Sequence, residues 1–184
     1  MKRFIFAAIC IIISNSLFAQ AFNKDSKMLG ITGGLDGLYI GDLYTGLNFS
    51  YDQGYLETAG PGVISLGGSV GLGRRSYSDF NVYSWNSSRA YLAFRGAYHY
   101  NGIDEKNLDI YGGLEIGLGF IHNRYTGPAF VGPLDYNTSN STNFYFRPNP
   151  FIGARYFVTD NFGIMAETSM ALFNGLNIGV TFKL

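Results

Sequence analysis

The sequence predicts an all-β protein, an eight-stranded antiparallel up-and-down transmembrane β-barrel. Three observations carry that reading. Apolar residues alternate with polar or very small ones over runs of about 10 to 17 residues, against five or six in a usual soluble strand. The small-residue face is mostly Gly and Ser with a few charges, which suits a crowded polar lumen better than a water-facing surface. The composition agrees: 25 Gly, 16 Phe and 14 Tyr among 184 residues, with only 14% charged. That aromatic content excludes a disordered chain. Thirteen basic residues against thirteen acidic ones leave no excess to neutralise phosphates, so no nucleic-acid partner is expected.

In chain order, the first element is an address. Lys2 and Arg3 precede the ten-residue apolar run from Phe4 to Ile13, and Ala19-Gln20-Ala21 has the small-x-small form of a cleavage site. The run is half the length a spanning helix needs. Residues 1–21 are therefore expected to be a signal peptide and 22–184 the barrel domain. Removing residues 1–21 takes away the sole cysteine, Cys10, and leaves 11 basic against 13 acidic residues, a net charge of −2. A chain exported without cysteine cannot rely on disulfides.

Strands are expected at 28–38, 43–52, 62–76, 87–101, 107–124, 143–158, 161–171 and 174–184. The clearest alternations are Ile64-Leu66-Gly68-Val70-Leu72, then Leu92-Phe94-Gly96-Tyr98-Tyr100, Leu108-Ile110-Gly112-Leu114-Ile116-Leu118-Phe120 and Leu176-Ile178-Val180-Phe182-Leu184. Residues 39–62 are irregular and Gly-rich, so the first two strands have soft boundaries. Connections 77–86 and 125–142 are long and rich in Asn, Ser, Tyr and Gly, as external loops are, while those near Asn101–Lys106 and Thr159–Asn161 are short, as periplasmic turns are. Pro148 and Pro150 would each remove a ladder donor from a barrel that has no edge strand. They are expected to mark a bulge near the upper rim, leaving strand six regular only from Phe151 downward.

Charges on the inward register are expected to pair in the lumen: Arg95, His99, Asp109, Glu115, Arg155 and Glu167, with Arg147 and Lys183 as further candidates. An eight-stranded barrel is just wide enough for side chains to fill, so this is a plug rather than a pore. If the turn near Asp104 sets His99 opposite Asp109, Arg95 faces Gly113 with Glu115 one diagonal step away; the turn near Asp160 sets Arg155 opposite Met165 with Glu167 diagonal to it. A His99–Asp109 pair is half of a hydrolase triad, but no Ser stands at an obvious third position. No catalytic residue is assigned. No cofactor or metal is expected either, since the two His are distant and no acidic run has the spacing of a calcium loop. Tyr98, Tyr100 and Tyr156 fall near one interface and Phe120, Phe144 and Phe146 near the other, as aromatic girdles do. Tyr77, Phe80, Tyr83, Trp85 and Tyr125 lie in or beside the external loops and form a possible contact surface.

Several runs carry a resemblance. Arg95-Gly96-Ala97-Tyr98-His99-Tyr100 with Asp109-Ile110-Tyr111-Gly112-Gly113, and Pro150-Phe151-Ile152-Gly153-Ala154-Arg155-Tyr156-Phe157 with the ending Gly179-Val180-Thr181-Phe182-Lys183-Leu184, resemble small outer-membrane β-barrels of the OmpA/OmpX/OmpW type. The resemblance covers essentially all of the chain after the leader. It implies residence in the outer membrane of a Gram-negative cell, contact with outer-membrane lipids and lipopolysaccharide, insertion by the outer-membrane assembly machinery, and a monomer. Such barrels typically end in an aromatic residue; here Leu184 is last and Phe182 stands two residues earlier on the same face. The function expected is non-enzymatic: envelope structure, surface contact or small-molecule uptake. The alternatives are a barrel enzyme acting on envelope lipid through His99, and a soluble lipocalin-like barrel that binds an apolar ligand.

Overall fold

In the computed structural model, which describes residues 21–36, 44–79, 83–128, 136–169 and 175–184, the chain forms a closed antiparallel barrel. Its strands are β1 (Lys27–Asp36), β2 (Tyr44–Glu57), β3 (Gly62–Asp79), β4 (Tyr83–Tyr100), β5 (Leu108–Pro128), β6 (Tyr136–Phe157), β7 (Phe162–Ser169) and β8 (Leu176–Lys183). Each strand pairs with its sequence neighbours, and β1 pairs with β8 to close the ring. The expected fold, strand number and order are observed. Residues 1–20, most of the expected leader, lie outside the described residues.

The register sets the shape. From Gly33 one ladder row runs through Leu47, Leu72, Ala90 and Phe120 to Phe144. In the other direction it runs through Ile178 and Ala166 to Ala154. The circuit thus returns to β6 ten residues from where it left, Phe144 to Ala154. A stagger of that size over eight strands corresponds to a tilt of about 40°. Among the described residues one irregularity interrupts the ladders, a bulge in β2 between Gly54 and Leu56.

The barrel is inside-out. Leu47, Leu72, Leu92, Phe94, Leu118, Ile152 and Ile178 stand exposed on the outer wall, while Arg95, His99, Asp109, Glu115, Arg155 and Glu167 are buried within. On β4 the outward apolar positions run from Tyr100 up to Ala90. At about 40° of tilt those ten residues span about 25 Å of barrel height, the thickness of an outer-membrane belt. Tyr98, Tyr100 and Tyr156 mark its lower edge and Phe120, Phe144 and Phe146 its upper part, all outward and exposed as the girdle reading requires. The next outward row is Arg74, Ser88, His122 and Thr142, where His122 Nδ1 and Thr142 Oγ1 are 2.9 Å apart. The belt ends there.

Above the belt the wall is uneven. β3–β4 pairing continues to Asp79 and Tyr83, and β5–β6 pairing to Pro128 and Tyr136. The described part of β7 ends at Ser169, opposite Phe151. Residues expected as loops, 77–79, 83–86, 125–128 and 136–142, therefore prolong strands. From Phe144 to Tyr136, β6 rises about 20 Å beyond the belt. β3 to β6 thus form a four-stranded sheet that projects past the barrel.

That projection corrects the expectation for Pro148 and Pro150. β6 is regular from Tyr136 downward, and its ladder with β5 passes Pro150–Leu114 and Pro148–Ile116 without a register shift. Above Phe151 the described residues give β6 no neighbour on its other side. Among the described residues it has an edge at that height, and proline is tolerated on edges.

One prediction follows from the belt. Phe94→Arg, near mid-belt, is expected to cost about 2–4 kcal/mol of folding free energy in lipid vesicles, and Ser88→Arg, just above it, about 0–1 kcal/mol. Urea titrations read by the heat-dependent gel shift of folded barrels measure both; equal costs would contradict the placement of the belt.

Candidate functional site

The lumen is built from three ladder rows of inward residues. Arg95 stands directly opposite Glu115, and Glu115 opposite Asn149. Asp109 stands opposite Arg155. His99, Tyr111, Gly153 and Glu167 form the third row. Strand alternation aims all of these side chains at the axis, and the narrow ring brings opposite walls within reach of an Arg.

Arg95 is the hub. Its Nη1 donates to Glu115 Oε1 at 3.2 Å and its Nη2 to Glu167 Oε2 at 2.8 Å, while its Nε lies 2.8 Å from Asp52 Oδ1. Arg155 donates through Nη2 to Asp52 and through Nη1 to Asp109 Oδ2 at 3.4 Å. Two guanidinium groups thus serve four carboxyl groups, and neutral donors make up the difference. Ser69 Oγ donates to Glu115 at 2.8 Å, Asn149 Nδ2 to the same carboxyl group at 3.0 Å, and Tyr111 OH to Glu167 at 3.1 Å. Aromatic faces enclose the cations: Arg95 lies 4.1 Å over Phe151 and Arg155 4.3 Å over Tyr111. Gly153 is required beneath Tyr111, because a Cβ there would lie 2.6 Å from the Tyr111 hydroxyl.

The six expected lumen residues do gather, but with altered partners. His99 and Asp109 are bonded, Nδ1 to Oδ1 at 2.8 Å, yet His99 faces Tyr111 in the ladder, and Asp109 is one step off. Arg95 faces Glu115 directly rather than Gly113. The β4–β5 connection occupies Asn101–Asn107, with Leu108 N bonded to Glu105 O at 3.3 Å, and that longer turn moves the register by one pair. Arg155 faces Met165 as expected, but Glu167 is bonded to Arg95 across the lumen and not to Arg155. Asp52 was missed. It sits in the stretch 39–62, where the alternation is weak; the register places it in the row of Arg95 with only Gly67 between them, and ring closure brings Arg155 to it. Lys183 Nζ donates to the Ala21 carbonyl at 3.3 Å, outside the carboxyl cluster; the Arg147 side chain lies outside the described residues.

The Ser absent from the sequence reading is present. Ser65 Oγ lies 2.9 Å from His99 Nε2, so Ser65, His99 and Asp109 have the hydrogen-bond order of a hydrolase triad. Ser65 and His99 are each 0% exposed, and Phe22 stacks on the imidazole at 3.6 Å with its planes 5° apart. Asn101 Nδ2 fastens Phe22 by donating to its carbonyl at 3.0 Å. The segment before β1 thus closes the lower mouth of the lumen. Ser65, His99 and Asp109 form a buried hydrogen-bonded relay.

The contact-surface residues sit on strands rather than loops. Tyr77 pairs with Trp85 and Trp85 with Tyr125, one row across β3, β4 and β5 on the inward register of the projecting sheet. Trp85 and Tyr125 meet edge to face at 6.3 Å, and Tyr77 and Trp85 are about half exposed. Phe80 and the Tyr83 side chain lie outside the described residues. Among the described residues, no group of three or more His, Cys, Asp or Glu could hold a metal ion.

The hub makes a ranking. Arg95→Ala takes an ion-pair partner from three carboxyl groups, whereas Glu115→Ala leaves Arg95 two partners, so the arginine loss is expected to be the larger, about 3–5 kcal/mol. The double variant is expected to lose less than the two single losses summed. Denaturant unfolding in detergent measures all three; additive losses would show the pair to be uncoupled.

No family model matches the chain, and no curated protein matches it. Solved structures do. Ail, the attachment invasion locus protein of Yersinia pestis, solved in complex with the heparin analogue sucrose octasulfate, is 14% identical with a TM-score of 0.47, over 86% of this chain and 93% of that one. The N-terminal β-barrel domain of Pseudomonas aeruginosa OprF is 18% identical with a TM-score of 0.41, over 88% and 98%. The backbone structure of Ail in a phospholipid bilayer nanodisc is 14% identical with a TM-score of 0.42. The chain forms a closed ring with an outward apolar belt about 25 Å tall and a charged lumen, and no helix long and apolar enough to cross a membrane is found among the described residues. The protein is a closed eight-stranded antiparallel β-barrel of the membrane-spanning kind.

Proposed function

We propose that this barrel acts in surface contact, through the sheet that projects from β3 to β6, and does not conduct solutes. The observation that carries the reading is the aromatic row Tyr77–Trp85–Tyr125, held outside the belt on paired strands. Aromatic side chains with a polar tip give large contact area at little entropic cost, and Tyr and Trp are enriched at interfaces. The opposite face of the same sheet is Ser76, Asn86, Arg124, Asn140 and Thr142, which suits water and not a second hydrophobic layer. Uptake is the weaker reading, because Arg95, Arg155 and their partners fill the middle of the lumen and Phe22 closes its lower end.

The barrel is proposed to work as a monomer delivered by the outer-membrane assembly machinery, with Phe182, outward on β8 and packed 5.4 Å from Phe162, standing for the usual terminal aromatic residue. Export with loss of residues 1–21 is part of the same proposal. N-terminal sequencing of the inserted protein is expected to begin at Phe22; a start at Gln20 would keep the Ala21 carbonyl that Lys183 binds.

Replacing Tyr77, Trp85 and Tyr125 together by Ser is expected to lower the retention of producing cells on bare and protein-coated surfaces at least threefold, with folded protein in the membrane unchanged. Unchanged retention, joined to a stable single-channel conductance in a planar bilayer, would move the function to solute passage. The relay at Ser65 gives a second reading, a hydrolase. It predicts labelling by a fluorophosphonate that is lost in Ser65→Ala, whereas the buried geometry predicts no label.

A further inference from the structure

We propose that a depression at the upper edge of the belt, between β2, β3 and β4, binds the phosphate-bearing headgroup of an outer-leaflet lipid. The cavity measures about 500 Å³, and its lining includes Thr45, Leu47, Leu72, Arg74, Ser88 and Arg89. Its two halves differ in kind. Leu47 and Leu72 are ladder partners, outward and each 54% exposed, and they belong to the belt. Directly above them the next outward row is Thr45, Arg74 and Ser88, a cation between two hydroxyl-bearing residues. An acyl chain lies against the first row, and an anion meets the second.

The wall between the rows is thin. Gly46 and Gly73 pair with each other in the inward register and line the same depression. Arg89, on the inner face, crosses beside Gly73, where a Cβ would lie 2.8 Å from its Nε. A second guanidinium therefore borders the cavity from within. Among the described lining residues there is no carboxyl group to oppose an anion. Guanidinium groups bind phosphate oxygens in a planar, two-pronged geometry, which a lipid phosphate at the belt edge can meet without leaving its leaflet. A free inorganic anion would share the arginines but gain nothing from Leu47 and Leu72, so the lipid is the occupant the whole cavity fits.

The inference rests on the chain spanning a membrane, and its test separates the two. Full-length protein, refolded in detergent and checked for its heat-dependent gel shift, is titrated with phosphatidic acid, phosphatidylcholine or inorganic phosphate and examined by native mass spectrometry. Retention of phosphatidic acid is expected to exceed that of phosphatidylcholine, to fall at least tenfold in Arg74→Ala, and to change less than twofold in Arg124→Ala, a cation farther from the belt on the same outer face. If Arg74→Ala does not fold, Arg74→Gln and Ser88→Ala carry the comparison. Three outcomes overturn the site: equal losses in the Arg74 and Arg124 variants, retention indifferent to Arg74, or displacement of the lipid by inorganic phosphate alone. A protein without the gel shift would instead overturn the membrane reading.

Discussion

Arg95 has its guanidinium in contact with Asp52, Glu115 and Glu167, which come from β2, β5 and β7. Those contacts tie four of the eight strands to a single planar group at the axis. In a water-soluble barrel the interior would be apolar and would hold itself together by exclusion of water. Here the outside is apolar and the bilayer provides no such drive inward, so the interior must be held by directed bonds. Every carboxyl group in the cluster has at least two partners, and the excess of carboxyl over guanidinium groups is met by Ser69, Asn149, Tyr111 and His99. Removing the hub leaves Glu115 and Glu167 buried with neutral partners alone and Asp52 with Arg155.

The same crowding explains the small-residue face. Gly153 leaves room for the Tyr111 ring, and Gly71 does the same for Tyr91, whose hydroxyl donates to Asn48 Oδ1 at 3.0 Å higher in the lumen. Large polar side chains reach the axis only because their ladder neighbours have none. A glycine-rich register is therefore the counterpart of the arginine-centred cluster.

Above the belt the constraint is lifted. With water on both sides, the sheet no longer has to be closed, and among the described residues it is β3 to β6 that continue. The outward register turns from Leu72, Ala90, Phe120 and Phe144 to Arg74, Ser88, His122 and Thr142 within one step along each strand. The inward register, freed from the lumen, carries Tyr77, Trp85 and Tyr125. The region read as loops from its Asn and Ser content is strand because hairpins outside the belt tolerate polar residues on both faces, which erases the alternation that marks a strand in sequence.

Alternation with a period of two is local, and so the barrel, the strand order, the belt and six of the inward charges were legible in the sequence, while Asp52 and Arg89 were not; Arg95, His99, Asp109, Glu115, Arg155 and Glu167 are all buried. Which of them meet was not legible. Turn length sets register, and the turn at Asn101–Asn107 moves every β4–β5 partner by one pair, bringing Glu115 rather than Gly113 opposite Arg95. Contacts across the lumen, Arg95 with Glu167, Arg155 with Asp52 and Phe22 over His99, join residues far apart in the chain. The ten-residue stagger of the closed ring decides them, and that quantity belongs to no single strand. Pro148 and Pro150 make the same point. Their residue type says only that a ladder donor is missing, and the tertiary pairing shows that the β5–β6 ladder passes both without a shift in register.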